Sequence, residues 1–153
     1  MRLRPLAVAL LPLAAACGGR SRATNVTAPT GVYETQVQGY LARLKTNAEG
    51  QGYRRLVAGP VYGSLNDDAS ATHEMTVVGG NQYVLFGACD NDCRDVDLKI
   101  YDTNNNLQLQ DVAVDDTPVV TFTANGSGKY RIVVVMATCN RNPCYYGVQL
   151  MAR

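Results

Sequence analysis

The sequence predicts an all-β domain, a sandwich or barrel of short strands, preceded by one α-helix. Two observations carry this prediction. From His73 onward, short apolar segments are separated by turn signals rich in Gly, Asn and Asp, which is typical of antiparallel β proteins. Ahead of them, residues 33–48 carry apolar side chains at helical spacing. The length of 153 residues suits one domain of ordinary size.

Residues 1–16 predict an export signal. A short basic start is followed by an apolar run over residues 5–16 that ends in small side chains. The run is too short to span a bilayer as a permanent helix. We therefore expect the mature chain to be exported.

Cys17 follows this run directly, and residues 13–17 resemble a bacterial lipobox. The resemblance implies that Cys17 becomes the lipid-modified first residue of a periplasmic, outer-membrane or cell-surface lipoprotein. Ala14 stands where the motif usually has Leu. The alternative is an ordinary signal that releases a soluble secreted protein. Residues 17–31 are rich in small and polar side chains and predict a flexible tether.

Residues 32–60 predict an N-terminal helical segment. One face of the helix is apolar and carries Val37, Tyr40, Leu41 and Leu44. Gly50 and Gly52 predict its end, and a second apolar piece runs on to Gly59 and Pro60. We expect the helix to cover one face or end of the domain. The alternative is a helix that docks on a partner protein.

Residues 61–153 predict the β domain. We expect strands near residues 73–78, 82–88, 96–101, 107–114, 118–124, 129–137 and 145–151. Alternation predicts an inward face made of Val96, Leu98, Ile100, Val120, Phe122, Tyr130, Ile132, Val134 and Met136. Because Val133 and Val135 are also apolar, the strand that carries them is predicted to be central and covered on both faces.

Five cysteines include four in two polar loops. These four are Cys89, Cys93, Cys139 and Cys144. An exported chain meets an oxidising compartment, so two disulfides are expected, with three possible connectivities. We favour the local pairs, 89 with 93 and 139 with 144, because each short loop can bring its own ends together. A four-cysteine zinc site is the alternative, which the compartment and the spacing disfavour.

Two segments resemble the pre-peptidase C-terminal domains of bacteria. Residues 95–102 are similar to that family's D-x-D-L-x-L-Y-D core, and residues 120–134 to its F-T-A-x-x-x-G-x-Y-x-I-x-V segment. The likeness covers roughly residues 61–151. It implies a jelly-roll-like or Greek-key-like β-sandwich of seven to eight strands that is not catalytic and serves in secretion, adhesion or stability. Asn106 stands where the family usually has Gly.

The composition argues against nucleic acid binding and against most catalysis. The net charge is +1, with 14 basic and 13 acidic residues, so no basic patch is indicated. The chain has one histidine, His73, and no G-x-S-x-G motif, so we expect no enzyme activity. We interpret His73 as a surface residue at the start of a strand.

Two groups of residues are candidate sites. Four carboxylates around the first cysteine loop could bind calcium, or could instead cap turns: Asp90, Asp92, Asp95 and Asp97. Four tyrosines could form an exposed aromatic platform for a ligand, or could instead pack in the core: Tyr83, Tyr101, Tyr145 and Tyr146.

These observations predict a non-catalytic, exported binding or adhesion module of the bacterial envelope, with calcium as a candidate stabilising ion. Its expected partner is an envelope protein or polysaccharide, bound at the end that carries the two cysteine loops. The expected membrane contact is through the lipid alone. The alternative is an accessory lipoprotein subunit that docks on an envelope or secreted-protease complex through residues 33–48.

Overall fold

A computed structural model describes residues 31–153. The predicted signal, Cys17 and most of the predicted tether lie outside the described residues. Within the described range, no helix is long and apolar enough to cross a membrane.

One helix and eight strands make up the described chain, which confirms the predicted fold class. Helix α1 spans Val32–Gly50. The strands are β1 Arg55–Leu65, β2 Ser70–Val77, β3 Gln82–Cys89, β4 Cys93–Tyr101, β5 Leu107–Asp111, β6 Val119–Thr123, β7 Gly128–Cys139 and β8 Cys144–Ala152.

The strands form two antiparallel four-stranded sheets. One, the helix-covered sheet, has the order β1-β8-β3-β6, and the other, the open sheet, has the order β2-β7-β4-β5. The chain changes sheet at every connection except that between β4 and β5. This winding is the jelly roll of two Greek keys that the sequence predicts.

The space between the sheets is the main core, and it confirms the predicted alternation. Leu98 and Ile100 are fully buried, as are Ile132, Val134 and Met136. Strand β7 is central, as predicted, but its outward side chains are half-exposed. The prediction that β7 is covered on both faces is wrong, because α1 packs on the other sheet.

Helix α1 covers the outer faces of β3 and β8. Val37 and Leu41 are 0% and 3% exposed and pack against Val84, Phe86 and Met151 in a second core. Burying each of these side chains contributes about 1.5–3 kcal/mol. The helix therefore covers one face of the domain, as predicted, and β3 and β8 are the strands buried on both faces.

Strand β1 corrects the predicted boundary of the β domain. The sequence predicts residues 55–60 as part of the helical segment, but they belong to β1, which pairs with β8. The pairing is irregular between Leu56 and Val61, and Gly59 has a φ of 86°. A Cβ on Gly59 would lie 2.6 Å from the Val148 carbonyl oxygen, so this bend requires glycine. The irregularity breaks the alternation from which a strand is predicted.

Candidate functional site

Two disulfides lie at one end of the sandwich. They join Cys89 to Cys93 and Cys139 to Cys144, which confirms the predicted local pairs. Each links two strands of opposite sheets, β3 to β4 and β7 to β8. Cys93 and Cys139 are opposite each other in the β4–β7 pairing, so the two links are adjacent. We call this end the disulfide end; it comprises residues 66–69, 89–94 and 139–145 and the first half of α1.

Asp90 organises the first cysteine turn. Its side chain is 1% exposed, and its Oδ1 accepts hydrogen bonds from the amides of Asp92 at 3.0 Å and Cys93 at 3.2 Å. Its Oδ2 accepts a hydrogen bond from the amide of Tyr145 at 2.7 Å. Both carboxylate oxygens are therefore committed to the backbone.

The three turns at this end are hydrogen-bonded to one another. In the β1–β2 turn, Asp67 Oδ1 accepts a hydrogen bond from the amide of Cys139 at 2.6 Å. The Asp67 amide donates a hydrogen bond to Asn142 Oδ1 at 2.7 Å. The amide of Asn140 donates to the carbonyl of Asp92 at 2.9 Å. These contacts hold the turns as one unit.

The first half of α1 is part of the same unit. The Tyr40 hydroxyl donates to Asn91 Oδ1 at 2.6 Å, and the Asn91 amide donates to Gln36 Oε1 at 3.2 Å. Tyr33 stacks on Tyr145 with ring centroids 6.1 Å apart. A cavity of about 210 Å³ lies on this part of the helix. Its lining residues are Thr35, Gln36, Gly39, Tyr40 and Arg43.

The predicted calcium ligands do not come together as a set. Asp90 serves the backbone, whereas Asp95 is 9% exposed and its Oδ1 has no hydrogen-bond partner. The pKa of Asp97 is raised, mainly by burial and then by the Asp95 carboxylate. Among residues 31–153, no group of three or more His, Cys, Asp or Glu side chains could hold a metal ion. The four residues do not fit a preformed site, and calcium binding stays a prediction.

The four tyrosines do not form a common platform. Tyr83 is 1% exposed in the main core, and Tyr146 is 3% exposed there. The Arg131 guanidinium carbon lies 3.9 Å from the centre of the Tyr101 ring, and Tyr145 stacks against Tyr33 at the disulfide end. The platform prediction is wrong as a set, and of its members only Tyr145 belongs to the disulfide end.

His73 is half-buried rather than simply at the surface. Its Nε2 lies 2.9 Å from the Tyr146 hydroxyl, a hydrogen bond that joins β2 of the open sheet to β8 of the other. Burial lowers the pKa of His73 and raises that of Tyr146. The pair therefore connects the two sheets.

The sequence does not identify Gln36, Tyr40, Asn91 and Asn142 as site residues, and it places Tyr40 only on the apolar face of the helix. Their contacts join residues far apart in the chain, so no local pattern indicates them. The partial signal was the Asn and Asp content of the turns, which predicts side-chain bonds to backbone.

No protein-family model and no curated protein matches the chain. Among solved structures, it is similar to PliG, a periplasmic inhibitor of g-type lysozyme from Aeromonas hydrophila. That likeness has 11% identity and a TM-score of 0.47, and covers 61% of this chain and 83% of the other. It is also similar to the CBM36-1 domain of a multidomain xylanase from the hindgut metagenome of Trinervitermes trinervoides. The values there are 18% identity, a TM-score of 0.35, and coverage of 63% and 87%. Likenesses this distant assign no function, and the resemblance to pre-peptidase C-terminal domains stays a prediction.

Proposed function

We propose that this protein is a non-catalytic, exported binding module of the bacterial cell envelope, and that the disulfide end is its binding surface. The observation that carries the proposal is the joining of three turns and a helix by two disulfides and a network of hydrogen bonds. A surface fixed in advance loses little conformational entropy when a ligand binds, so more of the contact energy appears as affinity.

The chemistry of this surface suits a polar partner. Its exposed side chains include the amides and guanidinium groups of Asn91, Arg94, Asn140, Arg141 and Asn142, beside the ring of Pro143. The carboxylates of Asp67 and Asp68 in the β1–β2 turn are exposed there as well. Amides and guanidinium groups match the hydroxyl, carboxylate and carbonyl groups of an envelope polysaccharide or a polar protein surface.

The hydrogen bond between His73 and Tyr146 supports a non-catalytic role. A catalytic histidine stands beside a nucleophile or a bound substrate. In this protein the imidazole bonds to a tyrosine hydroxyl that is itself buried between the sheets. This arrangement serves packing rather than proton transfer.

Binding can be tested by co-sedimentation of the exported protein with purified peptidoglycan sacculi and by cross-linking to envelope proteins. We expect Arg141→Ala to weaken the interaction about tenfold. Lys129→Ala is the matched control, because it removes one exposed positive charge at the opposite end of the sandwich. Equal effects of the two substitutions would refute the assignment of the disulfide end.

Export and lipid anchoring rest on residues 1–17. We expect the mature protein to sediment with membranes and to begin at a cysteine whose mass includes lipid. Cys17→Ser should shift the protein to the soluble fraction. A wild-type protein of unmodified mass would show that an ordinary signal is cleaved instead.

Calcium stabilisation can be tested by a thermal melt with excess calcium and then with chelator. A bound ion would add about 2.7 kcal/mol at a hundredfold excess over its Kd. A calcium-dependent shift that Asp95→Ala abolishes would establish the ion. The absence of a shift would leave the aspartates as residues that cap turns.

Docking of the helix on another protein is the weaker interpretation. Val37 and Leu41, on its apolar face, are already buried against β3 and β8. A partner could use that face only if α1 left the sheet.

A further inference from the structure

Strand β6 is an unprotected sheet edge. Proteins usually guard such edges with charges, prolines or bulges, because free backbone groups invite another strand. Strand β1 carries Pro60 and two irregular pairings, β2 carries Glu74, and the β4–β5 pairing is irregular at Tyr101. Strand β6 has the sequence VVTFT and regular pairing with β3, so none of these protections lies within the strand itself.

The ladder between β3 and β6 shows which backbone groups of β6 are free. The Gly87 amide donates to the Pro118 carbonyl at 3.0 Å, and the Ala124 amide donates to the Asn81 carbonyl at 3.1 Å. In an antiparallel ladder, bonded residues alternate, so the backbone groups of Thr121 and Thr123 point away from β3. No other strand pairs with this side of β6 in residues 31–153.

Asp111 supplies independent evidence for this geometry. The outward-pointing residues of β6 are Val119, Thr121 and Thr123. Asp111 Oδ2 accepts a hydrogen bond from the amide of Val119 at 2.9 Å, so this amide is already bound by a carboxylate. The next two, on Thr121 and Thr123, are available to an incoming chain.

A cavity of about 300 Å³ lies along this edge. Its walls include Thr121, Phe122 and Thr123, which are consecutive in β6, and also Leu109, Gln82 and Tyr53. Leu109 belongs to β5 of the open sheet, whereas Gln82 belongs to β3 of the helix-covered sheet, so the cavity extends past the β6 edge. The part of an added strand that pairs with Thr121 and Thr123 would occupy this cavity.

The surroundings of β6 indicate the chemistry of its partner. Residues 100–128 contain Asp102, Asp111, Asp115 and Asp116 and no Lys, Arg or His. Apolar side chains are exposed in the same segment: Leu107, Leu109, Val112, Val114 and Val119. Arg153 brings a positive charge to this cavity: it donates a hydrogen bond to Gln82 and lies over the ring of Tyr53, two of the cavity's walls. The acidic Asp111 end of the edge therefore suits basic and apolar side chains of an added chain, whereas a second copy would bring the same four aspartates with it.

We propose that β6 binds an extended, positively charged segment of a partner protein by strand addition. The added strand pairs with the backbone of Thr121 and Thr123, and its apolar side chains contact Leu109 and Val119. This surface lies on the side of the sandwich and goes beyond the function proposed for the disulfide end.

The probe for this proposal is a fluorescein-labelled peptide of alternating lysine and valine, seven residues long, titrated into the exported protein by fluorescence anisotropy. We expect saturable binding, and binding about tenfold weaker or more for a glutamate–valine peptide of equal length. The lysine–valine peptide N-methylated at alternate residues should also lose binding, because it cannot pair with a strand. Hydrogen exchange at the amides of Thr121 and Thr123 should slow when the unmodified peptide binds.

Thr121→Pro tests the edge itself. The substitution removes an N–H that points away from the sheet and breaks no hydrogen bond to β3. Edge strands tolerate proline at such a position. We expect at least a tenfold loss of peptide affinity, with Thr121→Ser as the matched control. Should Thr121→Pro not fold, Asp116→Lys tests the charge, with Asp92→Lys as a control of equal charge change at the disulfide end.

Three results would overturn the proposal. These are equal affinity for the lysine and glutamate peptides, unchanged affinity of folded Thr121→Pro, and a wild-type dimer by sedimentation that Thr121→Pro dissociates. The last result would identify a second copy as the occupant of the edge.

Discussion

Asp90 and Tyr145 are joined by two hydrogen bonds across the two cysteine turns. The amide of Asp90 donates to the carbonyl of Tyr145 at 3.0 Å, and the amide of Tyr145 donates to Asp90 Oδ2 at 2.7 Å. Asp90 lies between the disulfide-bonded Cys89 and Cys93, and Tyr145 directly follows the disulfide-bonded Cys144. The stability of the disulfide end should therefore depend on this pair.

We expect Asp90→Ala to lower the free energy of unfolding by about 3 kcal/mol, because it leaves the part-buried amides of Asp92 and Tyr145 without an acceptor. Urea denaturation measures the change. Asp92→Ala is the control, since the Asp92 side chain accepts none of these bonds, and it should cost less than about 0.5 kcal/mol. Equal costs would show that the Asp90 carboxylate does not organise the turn.

Replacing Cys89 and Cys93 together by serine should lower the free energy of unfolding by about 2 kcal/mol, the loop-closure value for so short a ring. The same change at Cys139 and Cys144 should cost a similar amount. Because Cys93 and Cys139 are opposite each other in the β4–β7 pairing, the two losses should not add independently. Denaturation of the two double variants and of the quadruple variant tests this, and strict additivity would contradict it.

Leu41→Ala should destabilise the whole domain by about 3 kcal/mol, because Leu41 is buried between α1 and the helix-covered sheet. The control is Val32→Ala, since Val32 is 74% exposed and its truncation should cost less than about 0.5 kcal/mol. A single cooperative transition monitored by both helix and strand signals is expected. Separate melting of the helix would show that α1 is not part of the folding unit.

Stability should fall on mild acidification because of His73. Burial lowers the pKa of His73 below its ordinary value of 6.5, so the unfolded chain binds a proton that the folded state resists. The contribution is present above that value and is lost as the pH falls from the ordinary pKa to the lowered pKa of the folded state. We expect a lower Tm at about pH 5.5 than at about pH 7.5, measured calorimetrically. His73→Gln should flatten this dependence, and an unchanged slope would assign it to other groups.

Local patterns predicted most of the fold. In β4 the alternation of Val96, Leu98 and Ile100 is regular, and all three side chains are buried as expected. Strand β1 could not be predicted in this way, because its irregular pairing around Gly59 breaks the alternation. The double burial of β3 and β8 could not be predicted either, because it depends on where α1 packs.

The site was less predictable because its contacts are not local. The bond from Tyr40 to Asn91 joins residues 51 positions apart. Tyr146 is the exception, since a usable signal existed. It alternates with Val148 and Leu150, and all three are buried in the same core. This alternation predicts that Tyr146 faces the core, and so argues against Tyr146 as a member of an exposed platform.

The position of α1 also determines where the chain of an anchored molecule would enter the domain. The helix begins at Val32, and its first half belongs to the disulfide end. With lipid on Cys17, the chain would leave the bilayer and enter the domain at this end. Residues 17–31 can span at most about 50 Å when fully extended. The disulfide end would then lie within that distance of the membrane from which the chain emerges, and its partner would have to be accessible within the same distance.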